Sequence, residues 1–155
     1  MRIMLDTNVC NALCDGHNAV ETFIAGKSLW VTSAQMSEIE ACSEPRRARL
    51  LVIASQLNPS ETSLKSALWG HFNWDEMPWG ADGGHYETLK SKLDEIKRND
   101  RGNVNDALIA EVCIIEKMML VTCDNGLAGV LNRYCENQAI LFPYSSELRN
   151  FNANP

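Results

Sequence analysis

The run Arg2-Ile3-Met4-Leu5-Asp6-Thr7-Asn8 decides the fold, because Met118-Met119-Leu120-Val121-Thr122-Cys123-Asp124-Asn125 repeats its form far along the chain. In each, an apolar stretch of strand length runs into a carboxylate, and an asparagine follows closely. Short continuous apolar runs read as strands buried on both faces, the kind found in parallel sheets. Each run therefore predicts a strand that delivers an aspartate to its C-terminal end.

Working outward, Asp6-Thr7-Asn8 reads as the turn or N-cap that starts a helix from about Val9 to Cys14, broken by Asp15-Gly16-His17-Asn18. Val20 to Ala25 is a second short helix, with Val20, Phe23 and Ile24 at core spacing. Leu29 to Thr32 is a strand, and Ser33 caps a helix reaching about Cys42. Pro45 opens a helix through Gln56, since proline is tolerated at a first helical position. From Asn58 to His85 the pattern is that of a long loop, with Ser66-Ala67-Leu68-Trp69 as its one candidate strand. Tyr86 to about Asn99 is helical, carrying Leu89, Leu93 and Ile96 as one stripe. Asp100-Arg101-Gly102-Asn103 reads as a break before Val104 to Lys117, a helix apolar on nearly every side. Met119 to Thr122 is a strand, Leu127 to Tyr134 a helix, and Ala139 to Phe142 the last strand.

This alternation predicts an α/β fold of three α/β/α layers, with a central parallel sheet of four to five strands. One domain over residues 1–148 accommodates it, leaving 149–155 as a frayed tail. At 155 residues, 45% hydrophobic and 22% charged, the chain has the composition of a soluble globular protein. A net charge of −6 argues against broad electrostatic wrapping of nucleic acid, but not against an enzyme that acts on one. The six cysteines contain no CxxC pair and have no histidines at zinc-site spacing, so they read as free thiols. No signal-peptide h-region or membrane-length apolar run occurs, and the expected location is the cytoplasm.

Right-handed crossovers place the C-termini of parallel strands at one sheet edge, where such folds build their sites. Asp6 and Asp124 fall there, and Asp106 and Glu38, at the starts of two helices, can face them. Each acid also has a plain structural reading. Asp6 can cap a helix, Asp124 can serve the turn Asp124-Asn125-Gly126, Asp106 can answer a helix dipole, and Glu38 can simply be exposed. Glu40 competes with Glu38 but lies about 200° around the helix, so only one of them can face the site. As a set the four acids point to a cation. Clustered like charges raise each other's pKa values unless one intervenes, and a hard divalent ion such as Mg²⁺ or Mn²⁺ prefers oxygen ligands.

The same residues resemble a known family. Leu5-Asp6-Thr7-Asn8 is similar to the opening of PIN domains. So, in order, are Val31-Thr32-Ser33 with Ser37-Glu38-Ile39, Asn105-Asp106-Ala107-Leu108-Ile109-Ala110, and Leu120-Val121-Thr122-Cys123-Asp124. The resemblance spans roughly residues 2–142. It implies a Mg²⁺- or Mn²⁺-dependent ribonuclease, many bacterial members being VapC-like toxins neutralised by an antitoxin. It implies Asp6, Glu38, Asp106 and Asp124 as catalytic metal ligands, with supporting hydrogen bonds from Asn8 and Thr122. The partners it implies are an RNA substrate and an antitoxin protein; a homodimer is a further candidate assembly, on which the sequence is silent.

Two features fall outside those motifs. The Trp- and Gly-rich segment from Trp69 to Gly84 reads as a loop anchored by its tryptophans, or more sharply as an aromatic lid that stacks unpaired bases. Arg46, Arg47 and Arg49 read as a solvated helix start, or as a cluster that holds substrate phosphates. The alternative to an enzyme is a PIN-like RNA- or protein-binding scaffold that keeps the acids without the activity. A phosphatase with an aspartyl nucleophile is disfavoured, because Asp6-Thr7-Asn8 lacks a second acid two positions on.

Overall fold

Five strands, β1 (Arg2–Leu5), β2 (Ser28–Thr32), β3 (Ser60–Thr62), β4 (Met119–Thr122) and β5 (Ala139–Leu141), form one sheet in the order β3-β2-β1-β4-β5, every pair parallel. They belong to a computed structural model that describes residues 1–62, 84–97 and 100–142. The helices there are α1 (Thr7–Cys14), α2 (Asn18–Ile24), α3 (Ser33–Glu40), α4 (Arg46–Leu57), α5 (Gly84–Ile96), α6 (Asp100–Ile115) and α7 (Asn125–Tyr134).

The strands are apolar at successive positions because both faces are covered. Ile3, Leu5, Leu29, Val31 and Val121 point to one face and pack with Val9, Val20 and Ile24 of α1 and α2. Cys10, Ile39 and Leu50 extend this layer across α1, α3 and α4. Met4, Leu120 and Ala139 point to the other face, against Leu89 and Leu93 of α5, Ala107 to Cys113 of α6, and Leu127 and Leu131 of α7. The result is the three-layer α/β/α architecture, with α6 sandwiched in the core as its composition requires.

Chain direction then fixes where a ligand can sit. From β1 the chain steps outward to β2 and β3, with its helices on the first face. From β4 it steps outward the other way to β5, with α7 on the second face. The winding reverses between β1 and β4, and a crevice opens at the C-terminal ends of strands flanking such a reversal.

Several boundaries differ from the sequence reading, each for a physical reason. Ser60–Thr62 pairs with β2 as the edge strand, although its Ser-Glu-Thr sequence carries no apolar pattern. Thr32, not Ser33, caps α3: its hydroxyl accepts from the Gln35 amide while the Gln35 side chain accepts from the Thr32 amide. Pro45 occupies the N-cap of α4 rather than its first turn. The break expected at residues 100–103 is helix, since α6 already begins at Asp100. Asn103 is fully buried there, and its Nδ2 donates to Asp94 Oδ1 at 2.7 Å and to the Lys97 carbonyl at 3.0 Å. Those tertiary bonds outweigh a weak local propensity. The candidate strand at 66–69, the aromatic lid at 69–84 and the tail at 149–155 lie outside the described residues. Among the described residues no helix is long and apolar enough to cross a membrane.

Gln35 is the polar joint of the first layer. Besides closing the capping box, its buried amide donates to the Leu5 carbonyl and so ties α3 to the end of β1. Gln35→Ala leaves the Leu5 carbonyl and the Thr32 amide unpaired in the interior. It is expected to cost about 2–4 kcal/mol in urea denaturation, whereas a loss under 0.5 kcal/mol would mean that water replaces the joint.

Candidate metal centre

Register builds the centre. Leu5 pairs with Val121, and the Asp6 amide continues the ladder by donating to the Val121 carbonyl at 3.0 Å, so Asp6 comes to lie beside Thr122. The Thr122 hydroxyl donates to Asp6 Oδ2 at 2.6 Å. Its oxygen accepts from the Asp124 amide at 2.9 Å and from Asn8 Nδ2 at 3.3 Å. A hydroxyl has one proton and two lone pairs, and here all three are used. Asn8 Oδ1 in turn accepts from the Cys123 amide at 2.8 Å, clasping the end of β4 to the first turn of α1.

The cap reading of Asp6 fails. It occupies the N-cap position of α1, yet its side chain makes no cap hydrogen bond. The residue is 5% exposed, and its side chain lies on the side of α5 and α6, as that of Met4 does two residues earlier. Burial, opposed in part by the Thr122 hydrogen bond and reinforced by the charges of Asp106 and Asp124, pushes the Asp6 carboxyl up to about 7. Asp124 does cap α7, Oδ1 accepting from the Leu127 amide at 2.9 Å, which leaves Oδ2 for other work. Asp106 lies two turns into α6, too far from its N-terminus to answer the helix dipole. Burial raises its pKa, partly opposed by Lys97 and reinforced by the charges of Asp124 and Glu38.

Glu38 accepts from Thr7 Oγ1 at 2.6 Å and from Asn105 Nδ2, while Glu40 is exposed. Of that pair Glu38 therefore faces the group. The four acids lie at the end of the sheet where the winding reverses, near enough that the charges of Glu38 and Asp124 act on Asp106, and those of Asp106 and Asp124 on Asp6.

One residue that the sequence did not flag stands among them. The Lys97 ammonium, at the end of α5, donates to Asp106 Oδ2 at 2.9 Å and also to Asp124 Oδ2. Burial works to lower the Lys97 pKa, but the hydrogen bonds and charges of the two aspartates raise it overall. Burial likewise pushes Asp124 up, yet Lys97 and the Leu127 and Gly126 amides hold it below the ordinary value. Among the described residues no three Asp, Glu, His or Cys side chains form a ready group for a metal ion, and the place between Asp106 and Asp124 holds the ammonium. The donor chemistry nonetheless fits a hard divalent cation. The donors are oxygens, and a positive charge already sits between two of them.

Thr7 and Asn105, which hold Glu38, also escaped the sequence reading as site positions, although each adjoins a flagged aspartate. The basic cluster lies apart from the acids. Arg46 donates to Asn11 Oδ1 of α1 at 2.8 Å and pairs at 3.5 Å with Asp15, just past the end of that helix, while Arg47 pairs with Glu44 at 2.8 Å. Arg49 lies near the Cys14 thiol. The structure does not bring these arginines to the carboxylates.

No family model matches the sequence, and no curated protein matches it. Among solved structures the chain is similar to one in the crystal structure of VapBC2 from Rickettsia felis bound to a DNA fragment from their promoter. The TM-score is 0.54 at 20% sequence identity, over 92% of this chain and 98% of that one. At that identity the likeness is one of fold.

Asp6 makes the stability of the protein depend on pH. Its pKa rises from 3.8 in the unfolded chain to about 7 in the fold, so the folded state binds the proton more tightly. The associated stability is fully present below about pH 4 and is lost as pH rises through 7. In EDTA, wild type is expected to lose about 4 kcal/mol relative to Asp6→Asn between pH 4 and pH 8. Parallel pH profiles for the two proteins would show that Asp6 ionises normally.

Proposed function

We propose that the chain is a divalent-metal-dependent endoribonuclease, the toxin of a toxin–antitoxin pair, which hydrolyses RNA phosphodiester bonds. The observation that carries this reading is a buried aspartate at the winding reversal, hydrogen-bonded by Thr122 of β4, with Asp106 of α6 and Asp124 at the start of α7 close enough to act on it by charge. Asp6, Glu38, Asp106 and Asp124 would hold Mg²⁺ or Mn²⁺, with Asn8 and Thr122 in support. When bound, such an ion supplies Lewis-acid stabilisation of the charge that builds on a phosphodiester under attack by water.

The chain's own residues prepare that chemistry. Thr122 fixes the Asp6 carboxylate through Oδ2, and Asn8 fixes Thr122. Thr7 and Asn105 hold Glu38 toward the group from α1 and α6. Asp124 gives one oxygen to α7 and keeps the other for the site. Asp6, with a pKa near neutrality when no metal is present, can hold or release a proton at the crevice.

Support for the toxin–antitoxin assignment comes from the fold shared with a VapBC2 chain and from the four motifs in PIN order. On this reading the protein works in the cytoplasm beside an antitoxin, as a homodimer. A second reading, a binding scaffold without activity, is favoured by one observation: Lys97 already balances Asp106 and Asp124.

Incubation of a single-stranded RNA with the protein and Mn²⁺ separates the two. The nuclease reading expects cleavage that EDTA abolishes and that Asp106→Asn reduces to background. Thr122→Val is expected to lower the rate about 10–100-fold, as loss of a ligand's supporting hydrogen bond does. Cleavage that survives Asp106→Asn would contradict the reading, and an absence of cleavage together with no Mn²⁺-induced rise in Tm would favour the scaffold.

A further inference from the structure

The position of Lys97 is built, not incidental. Its amide continues α5 by donating to the Leu93 carbonyl at 2.8 Å. Its carbonyl accepts from Nδ2 of the fully buried Asn103 at 3.0 Å, which fixes the corner between α5 and α6. The stem passes over Gly126, where a Cβ would stand 2.7 Å from Lys97 Cε and 3.2 Å from Asp124 Oδ1. Gly126 lies in the first turn of α7 with no left-handed backbone to require it. Glycine there forgoes helix propensity, and the space it leaves is the space the lysine fills.

The ammonium also holds the oxygens that a metal would need. Asp124 Oδ1 is committed to the Leu127 amide, so Oδ2 is the atom left for a ligand, and Lys97 occupies it. On Asp106 it again holds Oδ2. Two cations sharing those oxygens would repel each other at a few ångströms in a partly buried crevice, where such a term amounts to several times its value in water.

We propose that Lys97 is an internal counter-ion which a divalent cation must displace to bind, so that the free protein keeps its site closed and this competition sets its metal affinity. The inference rests on the divalent-cation reading of the four acids. The displaced side chain, long and flexible, stays tethered at the crevice mouth as a positive charge.

The test is Mn²⁺ binding by isothermal titration calorimetry, with unfolding in EDTA followed by circular dichroism. Lys97→Met keeps the length of the stem and removes the charge. It is expected to bind Mn²⁺ about tenfold more tightly and, without metal, to melt below wild type, because Asp106 and Asp124 then face each other unbalanced. Gly126→Ala is the second variant: it leaves the lysine in the chain but puts a Cβ 2.7 Å from its Cε, so the flexible end of the side chain must shift off its place beside Asp124, and it too is expected to bind Mn²⁺ more tightly. Wild-type or weaker Mn²⁺ affinity in a folded Lys97→Met would overturn the competition while leaving the metal site standing. No Mn²⁺ binding by wild type or by either variant would overturn both.

Discussion

The pairing of β1 with β4 is the constraint on which the rest depends. These two strands stand side by side where the chain reverses its winding, and their register sets Leu5 against Val121. One step further along the ladder lies Asp6 beside Thr122, and two residues beyond Thr122 lies Asp124. A slip of β1 by one residue would turn Asp6 and Met4 to the opposite layer and carry Ile3 and Leu5 out of theirs, so core packing defends the site geometry. The hydrophobic layers thus position the polar centre as well as supporting it.

Charge balance is the second constraint. Three aspartates face a crevice that water barely reaches at Asp6, with Glu38 at its side. Glu38 is steadied by two neutral donors, Thr7 and Asn105. Asp106 and Asp124 are steadied by one ammonium, which leaves Asp6 with a hydroxyl and its own raised pKa. A pair of unit charges about 4 Å apart interacts by about 4 kcal/mol in such surroundings, comparable to a large part of a small domain's net stability. The metal-free protein therefore has two ways to lower that repulsion, a proton on Asp6 and the Lys97 bridge.

How far the sequence reaches depends on the range of the interaction that decides each element. The buried strands and the all-apolar α6 announce themselves, because burial on both faces writes itself into local composition. Asp6 and Asp124 are legible for the same reason, as carboxylates that end apolar runs. Ser60–Thr62 is not, since an edge strand of three exposed or half-exposed residues needs no hydrophobic pattern. The helical start at Asp100 is hidden because Asn103, a breaker by propensity, is held by Asp94 and Lys97 across the α5–α6 corner. Lys97 itself looks like any other lysine beside a helix stripe. Only the fold brings it to Asp106 and Asp124, and only Gly126, on a third element, makes room for it. The candidate centre is thus half local pattern and half tertiary arrangement.

The central claim is that the four carboxylates at the β1–β4 crevice hold a divalent cation. Diffraction at the manganese absorption edge from crystals grown with Mn²⁺ tests it most directly. Anomalous density is expected within bonding reach of Asp6, Glu38, Asp106 and Asp124, with the Lys97 side chain withdrawn from between the last two. Crystals that show no manganese there, with Lys97 still bridging Asp106 and Asp124, would contradict it.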